Sequence, residues 1–282
     1  MEGLRAGLRA SETLAFCPVI GQSGAMIISA ITRRPSPQMS DCELTHLSRT
    51  PIDAAEAERQ HSSYRAALAA CGIAVTALPP LDGHPDCAFV EDTAICLPEL
   101  FVICRPGAAS RLGEVASVTT VLPTDRPQHI LQSPATIEGG DVLVAGKTIF
   151  VGRSTRTNAA GIAALDAATA PFGYQVVAVE VPGALHLKTA ATALAPDLLL
   201  VNPAWVDVAA FGDVRHIAVS AGEQFASNIL SVNGAVFMHA GLPQTAAAIT
   251  AAGFAVTPLD VSEFAKAEAG LTCLSLLVPG VG

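Results

Sequence analysis

The chain has 282 residues, with 25 acidic against 16 basic side chains, a formal charge of −9, and 51% hydrophobic residues. This balance excludes intrinsic disorder, which needs low hydrophobicity and high charge. It also excludes nucleic-acid binding through bulk electrostatics, because a net negative charge repels phosphate.

The first candidate feature is a charge-free stretch, Thr13–Thr32, 20 residues long and so the length of a bilayer span. Pro18, Gly21, Gln22, Ser23 and Gly24 interrupt it and its apolar density is low. Arg5 and Arg9 ahead of Leu14–Ile20 resemble a leader peptide, but Glu12 and Pro18 spoil the pattern. The reading is a poorly ordered N-terminal extension over residues 1–25, with a single domain over 26–282 and no membrane association.

Short apolar runs then alternate with alanine-rich helical stretches. Ala25–Thr32 reads as a strand and Ile52–Ala70 as a helix, with Asp53, Glu56 and Glu58 near its start, where the helix dipole favours acids. Gly72 ends it and Ile73–Leu78 is the next strand. Phe89–Cys96 and Phe101–Cys104 read as paired strands, Ser110–Ala116 as a weak helix and Val118–Leu122 as a strand. Asp141–Ala145 and Thr148–Val151 flank Gly146-Lys147 as a hairpin, followed by a helix over Thr157–Ala170 and a strand over Tyr174–Val181. Leu198–Val201 and Arg215–Ser220 bracket a short helix. Ile229–Val232 and Ala235–His239 flank Asn233-Gly234, the strongest short hairpin signal. Leu242–Ala252 is helical, Phe254–Pro258 extended and Leu271–Leu277 the final strand. A strand–strand–helix–strand unit thus recurs about every fifty residues, a period that marks internal repetition.

Seven cysteines without a CxxC pair indicate neither a disulfide framework nor a tetrahedral zinc site. They read as free thiols in a reducing, cytoplasmic compartment.

Charged residues are scarce, so those set among apolar neighbours carry information. Pro85 through Asp92 holds three carboxylates. Asp86 and Asp92 share one strand face by period two, while Glu91 points the other way. Two carboxylates on one face suit a planar cation such as a guanidinium, although a solvated acidic turn is the plainer reading of the segment alone. Glu138-Gly139-Gly140-Asp141 places an acid beside glycines that permit close approach or positive φ. Arg156, at a helix start among hydroxyl donors, is a candidate carboxylate clamp, and Arg105 is a similar lone basic residue after an apolar run. His186 and the strand-borne Cys273 complete the set. Cys, His and a carboxylate orienter compose a nucleophilic triad. With acids for a guanidinium and arginines for a carboxylate, they describe an arginine-shaped ligand.

At these residues the sequence resembles the dimethylarginine dimethylaminohydrolase family of the guanidino-group-modifying superfamily. The matching stretches are Glu56–His61, Pro85–Asp92, Arg105–Ala108, Glu138–Leu143, Gly152–Asn158, His186–Thr189 and Leu271–Cys273, in the family's order from about Met26 onward. The resemblance implies an α/β pentein, a five-fold pseudosymmetric propeller of ββαβ units with the site in its central channel. It implies Cys273 as nucleophile, His186 as general acid/base and Glu138 as its orienter. Asp86 and Asp92 would bind the guanidinium with Glu91 in support, Arg105 and Arg156 the α-carboxylate, and the backbone near Ala267 and Glu268 the α-amino group. The implied reaction hydrolyses methylated arginines to citrulline without metal or organic cofactor, in a monomer or homodimer.

The sequence departs from the family's common pattern at Glu138, where Asp is frequent, at Thr189, where Ser is frequent, and at Leu274, where some members carry a second cysteine. Lys188 stands where deiminases of the superfamily carry a guanidinium-binding acid, which favours a dialkylated substrate. The loop Arg33–Thr50 is the candidate lid. An arginine or related guanidine deiminase on the same triad, and a non-catalytic binding scaffold, are the competing expectations.

Overall fold

The structure, a computed structural model, describes residues 25–281. Apart from Ala25, the expected N-terminal extension lies outside them.

Five three-stranded sheets follow one another, each with a central strand paired antiparallel to one neighbour and parallel to the other. The first half-unit is β1 (Ile27–Arg33), α1 (Ala54–Ala70) and β2 (Ala74–Leu78). The second unit is β3 (Ala94–Cys96), β4 (Phe101–Ile103), α2 (Val115–Thr119) and β5 (Gln128–Ile130). The third is β6 (Val142–Ala145), β7 (Thr148–Arg153), α3 (Ala159–Thr169) and β8 (Gln175–Glu180). In the fourth, α4 (Leu187–Ala190) leads into β9 (Ala191–Ala195), β10 (Leu198–Val201) and β11 (Arg215–Ala218). The fifth is β12 (Ile229–Val232), β13 (Ala235–His239), α5 (Pro243–Ala251) and β14 (Val256–Leu259). After α6 (Ser262–Ala265), β15 (Leu276–Pro279) returns to pair antiparallel with β1, so both ends of the described chain complete one sheet. This is the pentein architecture that the family resemblance implies, and its units match the repeat read from the sequence. Strands β15, β3, β6, β9 and β12 line the centre, with contacts of β15 to β3, β6 to β9 and β9 to β12.

Local chemistry accounts for the elements. In α1, Ala57, Gln60, His61, Tyr64 and Leu68 form one buried stripe at helical spacing. Asp53 caps it by accepting from Ala55 N and Glu56 N. Asn158 caps α3 through Gly161 N at 2.8 Å. Helix α5 starts on a proline and takes its acceptor from another loop: the Glu223 carboxylate receives Gln244 N and Thr245 N. The Asn233-Gly234 turn has φ of 46° and 87°, the two positive values that a two-residue hairpin of this kind requires.

Several sequence expectations are corrected. Val118–Leu122 is not a strand: α2 occupies its start, and the third strand of that unit is β5, reached after the proline-containing polar stretch Pro123–Pro127. Ala191–Ala195, to which the sequence reading assigned no element, is the buried strand β9. Only Ala94–Cys96 of Phe89–Cys96 is extended, because Val90–Thr93 winds into a 3-10 turn. The last strand starts at Leu276, so Cys273 sits on a 3-10 turn, Thr272–Leu274, and not on a strand.

Candidate active site

The loops at one end of the central channel converge on a cavity of about 20 Å³. Asp86, Asp92, Arg156, His186, Ala267, Glu268 and Cys273 all line it, with Glu43, Phe89, Arg111, Leu185 and Ala269. Seven of the ten residues expected from sequence are therefore brought together at one surface. Glu138 is fully buried directly behind His186.

Glu138, His186 and Cys273 are each aimed by a short turn that leads into an inner strand. Glu138 precedes the 3-10 turn Gly139–Asp141 that enters β6. Close packing explains the two glycines: a Cβ at Gly139 would lie 2.0 Å from Glu91 O, and one at Gly140 2.7 Å from His186 Nδ1. Neither has a positive φ, so close approach is the reason for the glycines. His186 stands in extended conformation just before α4. Asp141 fixes that helix by accepting Leu187 N at 3.0 Å, and Ser154 Oγ donates to its other oxygen.

The Glu138 carboxylate meets His186 Nε2 at 2.8 Å through Oε2, and its Oε1 accepts Gly107 N at 3.0 Å. Arg156 stands 3.5 Å away. Burial alone would raise the Glu138 pKa, but the hydrogen bond and charge of His186, with Arg111 and Arg156, outweigh it and hold the carboxyl below its usual range. Burial opposes protonation of His186, yet Asp92, Asp141 and Glu138 prevail and hold the imidazolium above its ordinary pKa. Burial raises the Cys273 thiol to about 12, and the charges of Glu91 and Asp92 push the same way. Gly270 N, 3.4 Å from Sγ, is a donor that favours the thiolate. Burial raises Asp86 to about 6, against the pull of Arg111.

Two expected residues face elsewhere. Glu91 Oε1 is 2.7 Å from Lys188 Nζ and its Oε2 accepts Thr272 Oγ1 at 2.8 Å. Glu91 and Lys188 line a second cavity among the inner strands, with Ile95, Val142 and Leu276. Glu91 thus points away from Asp86 and Asp92, as the sequence reading had it, although the backbone that turns it is the 3-10 turn Val90–Thr93 rather than a strand. Arg105 forms a backbone bridge with Ile137 and is half-buried, and its side chain is not among those lining the catalytic cavity.

Arg111 is the basic residue of that segment that reaches the cavity, and sequence reasoning missed it. It is buried between Asp92 (2.6 Å) and Glu114 (2.8 Å) and also donates to Phe89 O. An arginine in a weak helical stretch gives no sign of this; only the three-dimensional pairing does. Asp92 also accepts Gly140 N at 2.9 Å. Asp92, Glu138 and His186 bring possible metal-ligand atoms within 4.8 Å of one another. Arg111 and Arg156 already pair with the two carboxylates of this cluster.

Known proteins place this arrangement. The arginine deiminase family model matches residues 117–227. The N(G),N(G)-dimethylarginine dimethylaminohydrolase of Streptomyces coelicolor is 38% identical over 249 residues, covering 88% of this chain and 95% of that protein. The Pseudomonas aeruginosa protein of that name is 34% identical over 249 residues, 87% of this chain and 97% of its own. A solved cysteine-to-serine variant of the Pseudomonas aeruginosa protein, complexed with citrulline, superposes with a TM-score of 0.85 over 89% of this chain and 99% of that one. The N-terminal domain of a cyanobacterial arginine dihydrolase, 21% identical with a TM-score of 0.80 over 90% of this chain and 98% of that one, shares the fold. Among the described residues, no helix is long and apolar enough to cross a membrane. By its similarity over nearly the whole described chain, the protein belongs to the dimethylarginine dimethylaminohydrolase family.

Proposed function

We propose that the protein hydrolyses N-omega-methylated arginines, asymmetric dimethylarginine and monomethylarginine, to citrulline and dimethylamine or methylamine. The observation that carries this is the convergence of Cys273 and the Glu138-held His186 on one cavity with two aspartates and two arginines. Asp86 and Asp92 face the guanidinium, with Arg111 holding Asp92 in place; Arg156 supplies positive charge for the α-carboxylate, and the backbone at Ala267 and Glu268 receives the α-amine.

The thiol is protonated at neutral pH, and only thiolate attacks. A guanidinium docked beside Sγ stabilises the thiolate, so the substrate itself activates its nucleophile. Sulfur adds to the central guanidinium carbon and forms a tetrahedral adduct. His186, as imidazolium, protonates the departing dimethylamine and leaves an S-alkylthiouronium. The neutral imidazole then takes a proton from water, the resulting hydroxide equivalent attacks the same carbon, and thiolate leaves as citrulline forms. The chain's own groups supply nucleophile, acid and base, so the reading invokes no cofactor.

The test is a substrate panel with product identification. Dimethylarginine should give citrulline and dimethylamine, and Cys273→Ala should abolish turnover. Arginine giving citrulline and ammonia as the main reaction would instead establish a deiminase. Lys188 speaks against that outcome, because its ammonium is bound to Glu91 where an acid would be needed.

A further inference from the structure

The loop expected to cover the site is fastened at both of its sides. Glu43 N donates to the Asp86 carboxylate, and Ser110 Oγ donates to Glu43 Oε1 at 2.7 Å. Further along, three successive backbone N–H groups, those of Thr45, His46 and Leu47, all donate to the carboxylate of Glu268. Consecutive amides converging on one anion form a binding concavity, here filled by a side chain of the same protein. Glu268 has φ of +57°, in the left-handed region that side chains other than Gly and Asn rarely adopt. It lies between Ala267 and Ala269, five positions before Cys273, and all four residues line the catalytic cavity.

The cavity volume gives these contacts a role. About 20 Å³ is room for roughly one water, so an amino acid enters only when a wall moves. Asp92, Arg111, Arg156 and His186 are tied into buried ion pairs. Glu43, by contrast, belongs to the loop and reaches the cavity from it. On the far side of the Glu268 contact, His46 and Leu47 border an apolar cavity of about 310 Å³ walled by Trp205, Phe225 and Leu185, space into which the loop can shift.

We propose that the Glu268 side chain is a positioning residue, a latch that holds the 43–47 loop closed over the catalytic cavity through a triplet of backbone amides and must release it for substrate to enter. This goes beyond the backbone role expected of Glu268 and rests on the proposed function for its consequence in turnover. Its structural content is testable without substrate.

The measurement is the rate at which 2-chloroacetamidine alkylates Cys273, followed by mass spectrometry. Glu268→Gly deletes the acceptor and tolerates the positive φ, so it removes the latch without adding backbone strain. Glu268→Asp keeps the charge. The expected result is alkylation at least tenfold faster in Glu268→Gly, near the wild-type rate in Glu268→Asp, and a KM for dimethylarginine raised more than kcat is lowered. Alkylation of Glu268→Gly within twofold of wild type overturns the proposal. So does faster alkylation accompanied by equal exposure of the buried Cys87 and Cys104, which would report general loosening. A wild-type protein that makes no citrulline refutes the function and leaves the alkylation comparison standing.

Discussion

His186 and Lys188 lie two residues apart at the start of one short helix, and each binds a buried glutamate. Glu138 gathers His186, Arg156 and two backbone donors, and its carboxyl is held below the usual range. Glu91 has Lys188 and one threonine hydroxyl, and burial prevails over Lys188 to raise its pKa. The first pair opens into the catalytic cavity and the second into the inner-strand cavity. Similar partners thus serve different ends. A carboxylate surrounded by excess positive charge stays ionised and orients an imidazole, whereas one with a single cation fastens two parts of the fold together.

The largest contrast should come from neutralising each glutamate. Glu138→Gln should lower kcat by about 10²–10⁴-fold, the usual worth of oriented acid–base catalysis, and should also lower the urea midpoint, because Arg156 and the imidazolium lose their buried carboxylate. Glu91→Gln should leave kcat within severalfold but cost about 3–5 kcal/mol in urea unfolding, because it strands a buried ammonium. A loss of kcat in Glu91→Gln equal to that in Glu138→Gln would erase the distinction. A second contrast sets Arg111 against Arg105. Arg111→Lys forfeits charged hydrogen bonds to Asp92 and Glu114 and should reduce kcat/KM on the order of 10–100-fold, while Arg105→Lys stays near wild type.

The next effect is in pH. Asp86 titrates near 6 in the folded protein, so below that value it takes up a proton and no longer attracts the guanidinium. KM should rise as pH falls through 6, about tenfold per unit once the group is mostly protonated, and Asp86→Asn should remove this limb. The smallest effect concerns Gly270. A Cβ there would stand 2.4 Å from the Asn228 side chain, which donates to Lys188 O and Thr272 Oγ1 and so joins the Lys188 segment to the Cys273 turn. Gly270→Ala should cost about 1–3 kcal/mol of stability, measured by thermal unfolding, with a smaller fall in kcat.

Much of this molecule was legible in its sequence, for identifiable reasons. Asn233-Gly234 carries its turn conformation in its own residues, and α1 carries its apolar stripe and its cap. Cys273, His186 and Glu138 stand out together because the acidic and basic residues around them complete an arginine-shaped set, and the three lie at or directly behind one cavity. What failed was set by partners distant in the chain. Ala191–Ala195 has helix-forming composition, yet it pairs with β10 and becomes a strand. Val118–Leu122 is β-branched at several positions but packs as a helix end. The Asp86–Asp92 face was inferred from strand alternation that a 3-10 turn abolishes; the two aspartates still meet in one cavity, by a different backbone path. Arg111 had no local mark at all, since its role exists only once Asp92 and Glu114 surround it.

The pairing of β1 with β15 means that the sheet next to the Cys273 turn is assembled from opposite ends of the described chain. During synthesis, the Cys273 turn therefore has no finished scaffold until β15 has emerged from the ribosome, and truncation before Thr272 removes the Cys273 sulfur along with the strand that closes this sheet. The same arrangement makes the molecule suited to circular permutation. With the β15 end tethered to the β1 start and new ends cut at the Asn233-Gly234 hairpin, every blade would keep its neighbours.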